Sequence, residues 1–243
     1  MLMMREFIAG FGLFIGYYAV AVLLLLIIRS FLKPPRELFR KLLHTACFLS
    51  VLVLLYAFDT WYLAMLTAIV FAIALYPVIT FIERFPKVMD LLIERRNGEI
   101  KSSLLIAFFM MAVLIAIFWG ILGEQWKFIV IVSVMAWGFG DAAAALIGKA
   151  FGRNPINHRW VEGTKTREGS IAMYFVSATT ILICLLIYTS FPWHLCLSGA
   201  LLVSPICAVV ELVSRNGIDT ITVPLATAFP IFSLMILFSL MGV

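Results

Sequence analysis

Residues 137–170 read WGFGDAAAALIGKAFGRNPINHRWVEGTKTREGS, and this stretch places charged side chains inside and directly after apolar sequence. Asp141 lies among Ala, Gly, Ile and Phe residues, and Glu168 stands where the next apolar run begins. Charged side chains near a bilayer are costly and usually functional. The stretch therefore predicts the place where an anionic, phosphorylated substrate meets the protein at the membrane surface. Cations lie between the two acids: Lys149, Arg153, Arg159, Lys165 and Arg167.

The composition of the chain predicts an integral membrane protein. Of its 243 residues, 64% are hydrophobic and 13% are charged, and the mean hydropathy is +1.10. Soluble domains are far less apolar. The cysteines fall in or beside apolar runs without a CxxC pair, which predicts reduced packing residues instead of a disulfide or a zinc site. They are Cys47, Cys184, Cys196 and Cys207.

Apolar runs of about 20 residues, the length that crosses a bilayer, recur along the whole chain. They cover residues 7–28, 42–58, 61–82, 102–122, 127–148, 170–190, 193–214 and 222–241. The predicted fold is therefore all-α, a polytopic membrane protein with about eight transmembrane helices. The first run is too long for the apolar part of a signal peptide, so we expect it to stay as a helix. Because no polar domain, linker or repeat interrupts the pattern, residues 1–243 are predicted to form a single domain.

The basic residues predict the orientation in the membrane. Of the 18 lysines and arginines, all except Arg5 and Lys127 lie in or beside the loops 29–41, 83–101, 149–169 and 214–221. Loops rich in Lys and Arg stay in the cytoplasm, so both termini are predicted to be non-cytoplasmic. The net charge of +5 is then explained by topology, and no nucleic-acid partner is expected. The mixed charges of 83–101 predict a solvated surface helix.

One helix face of the central stretch carries an acid and three small residues. At about 100° per residue, Asp141, Ala145, Gly148 and Gly152 share this face. A substrate or a metal-bound phosphate can approach such a backbone closely, with Asp141 as a metal ligand or an acid/base group. The alternative is a packing seam, since Gly148 and Gly152 form GxxxG. Packing does not require a carboxylate, so the aspartate favours a functional role.

The sequence GTKTREGS at 163–170 has the components of an anion site at a helix N-terminus. Lys165 supplies a positive charge, and free backbone N–H groups are expected where the helix begins. Hydroxyls are available from Thr164, Thr166 and Ser170. The alternative is an ordinary basic loop in which Thr166 caps the helix and Glu168 complements its dipole. The chain has no GxxxxGK[ST] motif, so this is not a Walker A loop.

Two further groups of polar residues are candidates. Arg40, Lys41 and His44 begin the second helix and are suited to phosphate, or alternatively to a basic anchor at the interface. Glu211 lies near the end of its helix, where it serves either a metal or substrate, or pairs with Arg215 at i+4. Acidic residues predicted on the same cytoplasmic face also include Glu162 and Asp219.

Four blocks of this sequence resemble the polyprenol kinase family, which includes dolichol, phytol, farnesol and CTP-dependent diacylglycerol kinases. They are RKLLH at 40–44, GDAAAALIGKAFGR at 140–153, KTREGS at 165–170 and VELVSRNGIDTITVP at 210–224. The blocks occur in the order found in that family. One difference is that the last block often contains Asp-Asn-Leu-Thr-Val-Pro, whereas here Asp219 is followed by Thr220 and Ile221.

The resemblance implies transfer of the γ-phosphoryl group of a nucleoside triphosphate, typically CTP, to the hydroxyl of a lipid alcohol in the bilayer, with Mg²⁺. Predicted catalytic residues are Asp141, Lys165, Glu168, Arg40 and Lys41, with His44 beside them. Predicted nucleotide-binding residues are Gly140, Gly148, Gly152, Lys165, Thr166, Gly169 and Ser170. Predicted Mg²⁺ ligands are Asp141, Glu168, Glu211 and Asp219.

Two other classes of function stay open. A lipid cytidylyltransferase or CDP-alcohol phosphotransferase would use the same nucleotide, although the DGxxAR pattern of the latter is missing because Ala142 follows Asp141. An ion-coupled transporter would use Asp141 as an ion site. The nearly uncharged connections predicted on the other face argue against a transport path. The oligomeric state is not predicted.

Overall fold

The structure, a computed structural model, describes residues 1–82, 84, 99–161, 165–215 and 217–240. Eight long helices make up most of the described chain, and its one β-type pairing is an isolated bridge between Pro155 and Thr166. The helices are α1 Leu2–Leu32, α2 Arg36–Tyr56, α3 Trp61–Ile82, α4 Glu99–Leu114, α5 Lys127–Phe151, α6 Arg167–Tyr188, α7 Trp193–Val213 and α8 Asp219–Leu240.

All eight helices of the described chain are long and apolar enough to cross a membrane, with α4 extended by the π-helix Ile115–Ile121. The predicted all-α fold with about eight helices of membrane-spanning length and composition is thereby confirmed for this part of the chain. The predicted surface helix within 83–101 lies almost wholly outside the described residues. Only Arg84 and Glu99–Lys101 are described there, and Glu99–Lys101 belong to α4.

The first connection is tighter than the apolar pattern predicts. Helix α1 ends at Leu32, Lys33 takes the left-handed conformation with φ of 42°, and two prolines follow. Proline cannot continue a preceding helix but is tolerated where a new one begins. Helix α2 therefore begins at Arg36, six residues before the predicted apolar run, and Arg40 and Lys41, predicted at the beginning of this helix, lie in its second turn.

The chain divides into two compact units, Met1–Leu122 and Gly123–Val243. The single domain 1–243 stays a prediction. In the first unit α3 packs on α4 and α1 packs on α2. Its core contains aromatic rings that meet edge to face or stacked, namely Phe14, Tyr18, Phe71 and Phe108. Such contacts add to the burial of large apolar side chains.

In the second unit, α5 packs on both α6 and α8, and α7 packs on α6 and α8. Helix α5 is the most buried of the eight, since nearly every residue from Ile129 to Gly140 is buried. Gly140 lies against Met173 of α6, so the two helices approach closely there. This arrangement keeps the helix that carries Asp141 in the interior of the unit.

The four cysteines are buried and have free thiols. The Sγ atom of Cys207 lies 3.0 Å from Oγ1 of Thr227, which links α7 to α8. The burial expected of packing residues is confirmed for all four.

Candidate functional site

The second unit has one end that is strongly basic. Because α5, α6, α7 and α8 pack in sequence and are joined by short connections, the end of α5, the beginning of α6, the end of α7 and the beginning of α8 meet there. We call this the basic end and define it by the connections 152–166 and 214–218. Exposed cations surround it: Lys149, Arg153, Arg159, Arg167 and Arg215.

Lys165 connects the residues before α6 to the end of α7. Its ammonium lies 2.9 Å from Oε1 of Glu211 and donates to the backbone carbonyls of Glu211 and of Ser214, the latter at 3.3 Å. An ammonium has three donors, and each has an acceptor here. Glu211 is only 8% exposed, so the pair holds a buried carboxylate. Lys165 also neutralises carbonyl groups at the C-terminal end of α7, where the helix dipole is negative.

The sequence paired Glu211 with Arg215, but the structure shows an ion pair with Lys165. The guanidinium of Arg215 donates to the carbonyl of Arg159 instead. This second contact also connects the loop after α5 to the end of α7. The two connections of the basic end are therefore held together at both Lys165 and Arg215.

The residues before α6 form a short antiparallel pair with the loop after α5. Ile156 N donates to Lys165 O at 2.9 Å, and Arg167 N donates to Asn154 O at 3.0 Å. Asn154 also fixes Glu168, because its Nδ2 donates to Oε1 at 2.7 Å and its backbone N to Oε2 at 3.4 Å. Sequence reasoning did not select Asn154. The only signal for it was the Asn-Pro dipeptide, which predicts a turn.

Thr166 caps α6, since its Oγ1 accepts from Gly169 N at 3.2 Å. The predicted N-cap is confirmed, and Glu168 lies in the first turn, as that alternative requires. Ser170 follows, half-buried, with its backbone N donating to Thr166 O at 3.1 Å. A role of Thr166, Gly169 and Ser170 in nucleotide binding stays a prediction. Glu162 and Thr164 lie outside the described residues.

The glycines of the site bring α5 and α6 into close contact. A Cβ on Gly169 would lie 2.8 Å from the carbonyl oxygen of Ala144, and a Cβ on Gly148 would lie 3.1 Å from Thr166 Oγ1. Gly152 packs against the methyl group of Thr166, where a Cβ would lie only 2.6 Å away. These contacts support the packing-seam alternative for Gly148 and Gly152. Their use in nucleotide binding stays a prediction.

Asp141 is half-buried inside α5. Gly148 faces Thr166 and Gly169 at the beginning of α6. Asp141 precedes Gly148 by seven positions in α5 and therefore lies about 10 Å from that level, deeper along the helix. One turn before it lies Trp137, which is 6% exposed and whose Nε1 has no hydrogen-bond partner among the described residues. Residues at i and i+4 share a helix face. A buried donor therefore lies near a carboxylate in the interior of a spanning helix.

The predicted Mg²⁺ ligands are spread along the basic end. Among the residues that the structure describes, no three His, Cys, Asp or Glu side chains gather into a set able to hold a metal ion. Mg²⁺ is commonly held by one or two carboxylates together with water and substrate phosphates. The residues therefore fit an ion that arrives with a nucleotide better than an ion held by protein alone. Asp219, half-buried in the first turn of α8, belongs to the same end.

Arg40, Lys41 and His44 belong to the first unit. Arg40 is 8% exposed and Lys41 4% exposed, while His44 is half-buried. The guanidinium of Arg40 bonds to Glu37 Oε1, with the Nη2 atom at 2.5 Å and the Nε atom at 3.2 Å. Such burial does not fit an anchor that extends its charge into water. Their convergence with the residues of the second unit stays a prediction.

The chain matches no protein-family model, no curated protein and no solved structure. The four blocks that resemble the polyprenol kinase family therefore remain a prediction from sequence.

Proposed function

We propose that this protein is a membrane-embedded lipid-alcohol kinase, with an isoprenoid alcohol or diacylglycerol as acceptor and CTP as phosphoryl donor. The observation that carries the proposal is the half-buried Asp141 in the most buried helix. One turn before it lies Trp137, whose buried indole N–H has no hydrogen-bond partner among the described residues. Helix packing does not require a carboxylate, and a buried N–H group normally has an acceptor. A lipid hydroxyl supplies an acceptor for the indole and a proton for the carboxylate.

The proposed orientation places the basic end in the cytoplasm and both termini on the opposite side, because basic loops are retained in the cytoplasm. Nucleoside triphosphates are available in that compartment. The exposed cations around the basic end would raise the local concentration of a polyanionic nucleotide. The lipid alcohol would enter from the bilayer between helices and bring its hydroxyl toward the level of Asp141.

Phosphoryl transfer requires positioning and charge stabilisation more than covalent chemistry from the protein. In the proposed reaction, the hydroxyl oxygen forms a bond to the γ-phosphorus, and the bond from that phosphorus to the β,γ-bridging oxygen breaks. The bond electrons leave with the nucleoside diphosphate, and the hydroxyl proton passes to Asp141. Trp137 orients the hydroxyl oxygen by donating to it.

Glu168, with Glu211 and Asp219 as further carboxylates of the same end, would hold Mg²⁺ on the phosphate chain, while Asp141, about 10 Å deeper along α5, receives the proton. When bound, Mg²⁺ neutralises charge on the phosphate oxygens. Lys165 has acceptors in Glu211 and Ser214, so in this proposal it first positions the beginning of α6. It reaches a phosphate only by exchanging one of these acceptors.

The direct test uses the purified protein in phosphatidylcholine nanodiscs with CTP labelled at either the γ- or the α-phosphate. Diacylglycerol, phytol, farnesol and a long polyprenol are offered in turn, and the lipid fraction is separated and counted. We expect label in lipid from γ-labelled CTP only. Label from α-labelled CTP would indicate a cytidylyltransferase or phosphotransferase, and no transfer from CTP or ATP to any acceptor would overturn the proposal.

A further inference from the structure

A groove of about 520 Å³ opens at the basic end, between the loop after α5 and the last turn of α7. Leu212 and Val213 of α7 form its apolar side. His158, Trp160 and Arg167 form its polar side. None of the described residues that line the groove is acidic, and Arg167 gives the lining a positive charge, so the lining favours an anion.

Hydrogen bonds at Ile156 and at Arg159 hold the loop that forms one wall of the groove. Ile156 N donates to Lys165 O at 2.9 Å, and the guanidinium of Arg215 donates to the carbonyl of Arg159. Val161 N also donates to His158 O at 3.0 Å, which closes a turn around Arg159 and Trp160. The guanidinium of Arg159 also lies over the ring of its neighbour Trp160, 5.5 Å from the ring centroid. The wall is therefore a built part of the fold.

The apolar side of the groove continues along the membrane-spanning surface of α7. Leu202, Ile206, Val209 and Val213 repeat at helical spacing and are 58%, 39%, 59% and 40% exposed. They lie on one side of the helix and extend about 16 Å along it, which is about half of a 30 Å hydrocarbon core. An acyl chain in one leaflet would cover this stripe.

Trp160 stands where the two kinds of surface meet. It is 56% exposed and lines the groove together with the exposed cation Arg167. Tryptophan is enriched at the level of lipid head groups, where one part of the ring contacts apolar chains and the N–H contacts water. Basic pockets beside transmembrane helices bind anionic head groups. The position of Trp160 thus sets the depth of the groove at the interface.

We propose that this groove binds an anionic phospholipid of the surrounding bilayer. Arg167 contacts the head-group phosphate, Trp160 packs at the glycerol level, and one acyl chain lies along the α7 stripe from Val213 to Leu202. The site is separate from the proposed transfer of phosphate to a lipid alcohol and does not depend on it. It assigns a structural lipid to the basic end.

The test uses full-length protein in nanodiscs of phosphatidylcholine and phosphatidylglycerol, with bromine on the acyl chains of one lipid at a time. Bromine quenches nearby tryptophan, and the difference between wild type and W160F isolates the signal of Trp160. We expect brominated phosphatidylglycerol to compete about fivefold better than brominated phosphatidylcholine for the site, the effect of about one cation at the surface. Arg167→Gln should abolish the preference, and Arg167→Lys should keep most of it.

Arg153→Gln is the matched control. Arg153 is an exposed cation of the loop after α5, but it does not line the groove. It should leave the preference unchanged. Equal quenching by both lipids in the wild type, or an unchanged preference in R167Q, would overturn the proposal. Loss of the preference on adding CTP would assign the groove to the nucleotide and would overturn it as well. A cooperative thermal unfolding transition in each variant shows that the variants being compared are folded.

Discussion

The ammonium of Lys165 lies 2.9 Å from Oε1 of Glu211, and this ion pair joins the beginning of α6 to the last turn of α7 across 46 residues of sequence. The side chains are 25% and 10% exposed, so water screens the pair only in part. The same ammonium donates to two carbonyls at the end of α7. The basic end of the second unit is organised around this contact.

Removing one member of this pair should destabilise the protein. Lys165→Met leaves Glu211 as a mostly buried charge without its ion-pair partner, which we expect to cost about 1–3 kcal/mol. The double variant Lys165→Met/Glu211→Leu should recover part of that loss, because neither charge remains. Thermal unfolding in one detergent measures both, together with the single variant Glu211→Leu that completes the comparison. Arg153→Met is the control for loss of an exposed cation, and strictly additive effects of the two single changes would contradict the pairing.

Alanine at Gly169 should destabilise the contact between α5 and α6. The added Cβ would lie 2.8 Å from the backbone carbonyl oxygen of Ala144, so the helices must separate, at about 1–3 kcal/mol. Gly12→Ala is the matched control, because a Cβ there meets nothing within 4 Å and alanine favours a helix. The unfolding temperature of each variant measures the difference. Equal effects at the two glycines would contradict the close approach.

The N-cap of α6 should depend on the hydroxyl of Thr166. Thr166→Ala removes the acceptor of Gly169 N and should cost about 1 kcal/mol, whereas Thr166→Ser keeps it. Thr179→Ala in the exposed middle of α6 is the control. Hydrogen exchange of the first turn of α6 is the measurement. We expect faster exchange in T166A alone, and the same increase in T166S would show that the methyl group matters instead.

The proposed orientation predicts which residues react with an impermeant thiol reagent. The native cysteines are buried, so added cysteines at exposed positions should dominate the labelling. Arg153→Cys at the basic end should react only from the cytoplasmic side, and Ser190→Cys at the opposite connection only from the other side. Sealed vesicles of the two orientations measure this. The reverse labelling pattern would place the basic end on the non-cytoplasmic side, where nucleoside triphosphates are not available to it, and would contradict the proposed orientation.

The helices of this fold were accessible from sequence because each apolar run exceeds the length that spans a bilayer. The sequence placed Arg40 at the beginning of α2, which starts at Arg36. The burial of Glu37, Arg40 and Lys41 was not predicted, since it depends on tertiary packing. The π-helix Ile115–Ile121 was also missed. Its Gly120 lies against the ring of Trp61, 2.8 Å from an added Cβ, and no local pattern specifies that contact.

The site was predictable in its residue types but not in their partners. Polar residues in apolar sequence identified Asp141, Lys165 and Glu168. The pairing of Lys165 with Glu211 and of Glu168 with Asn154 connects residues that are far apart in the sequence, so helical spacing cannot reveal it. The N-cap of Thr166 was predictable because capping is local.

The account depends on Asp141 as the group that receives the hydroxyl proton of the lipid. The most direct measurement is the initial rate of transfer from γ-labelled CTP to the accepted lipid alcohol by Asp141→Asn, compared with Glu124→Gln. Glu124 is an exposed acid just before α5, at the opposite end of that helix, and serves as the control for loss of a carboxylate. With both variants folded, we predict a rate lower by about 100-fold or more for D141N and an unchanged rate for E124Q. A wild-type rate in folded D141N would contradict the account.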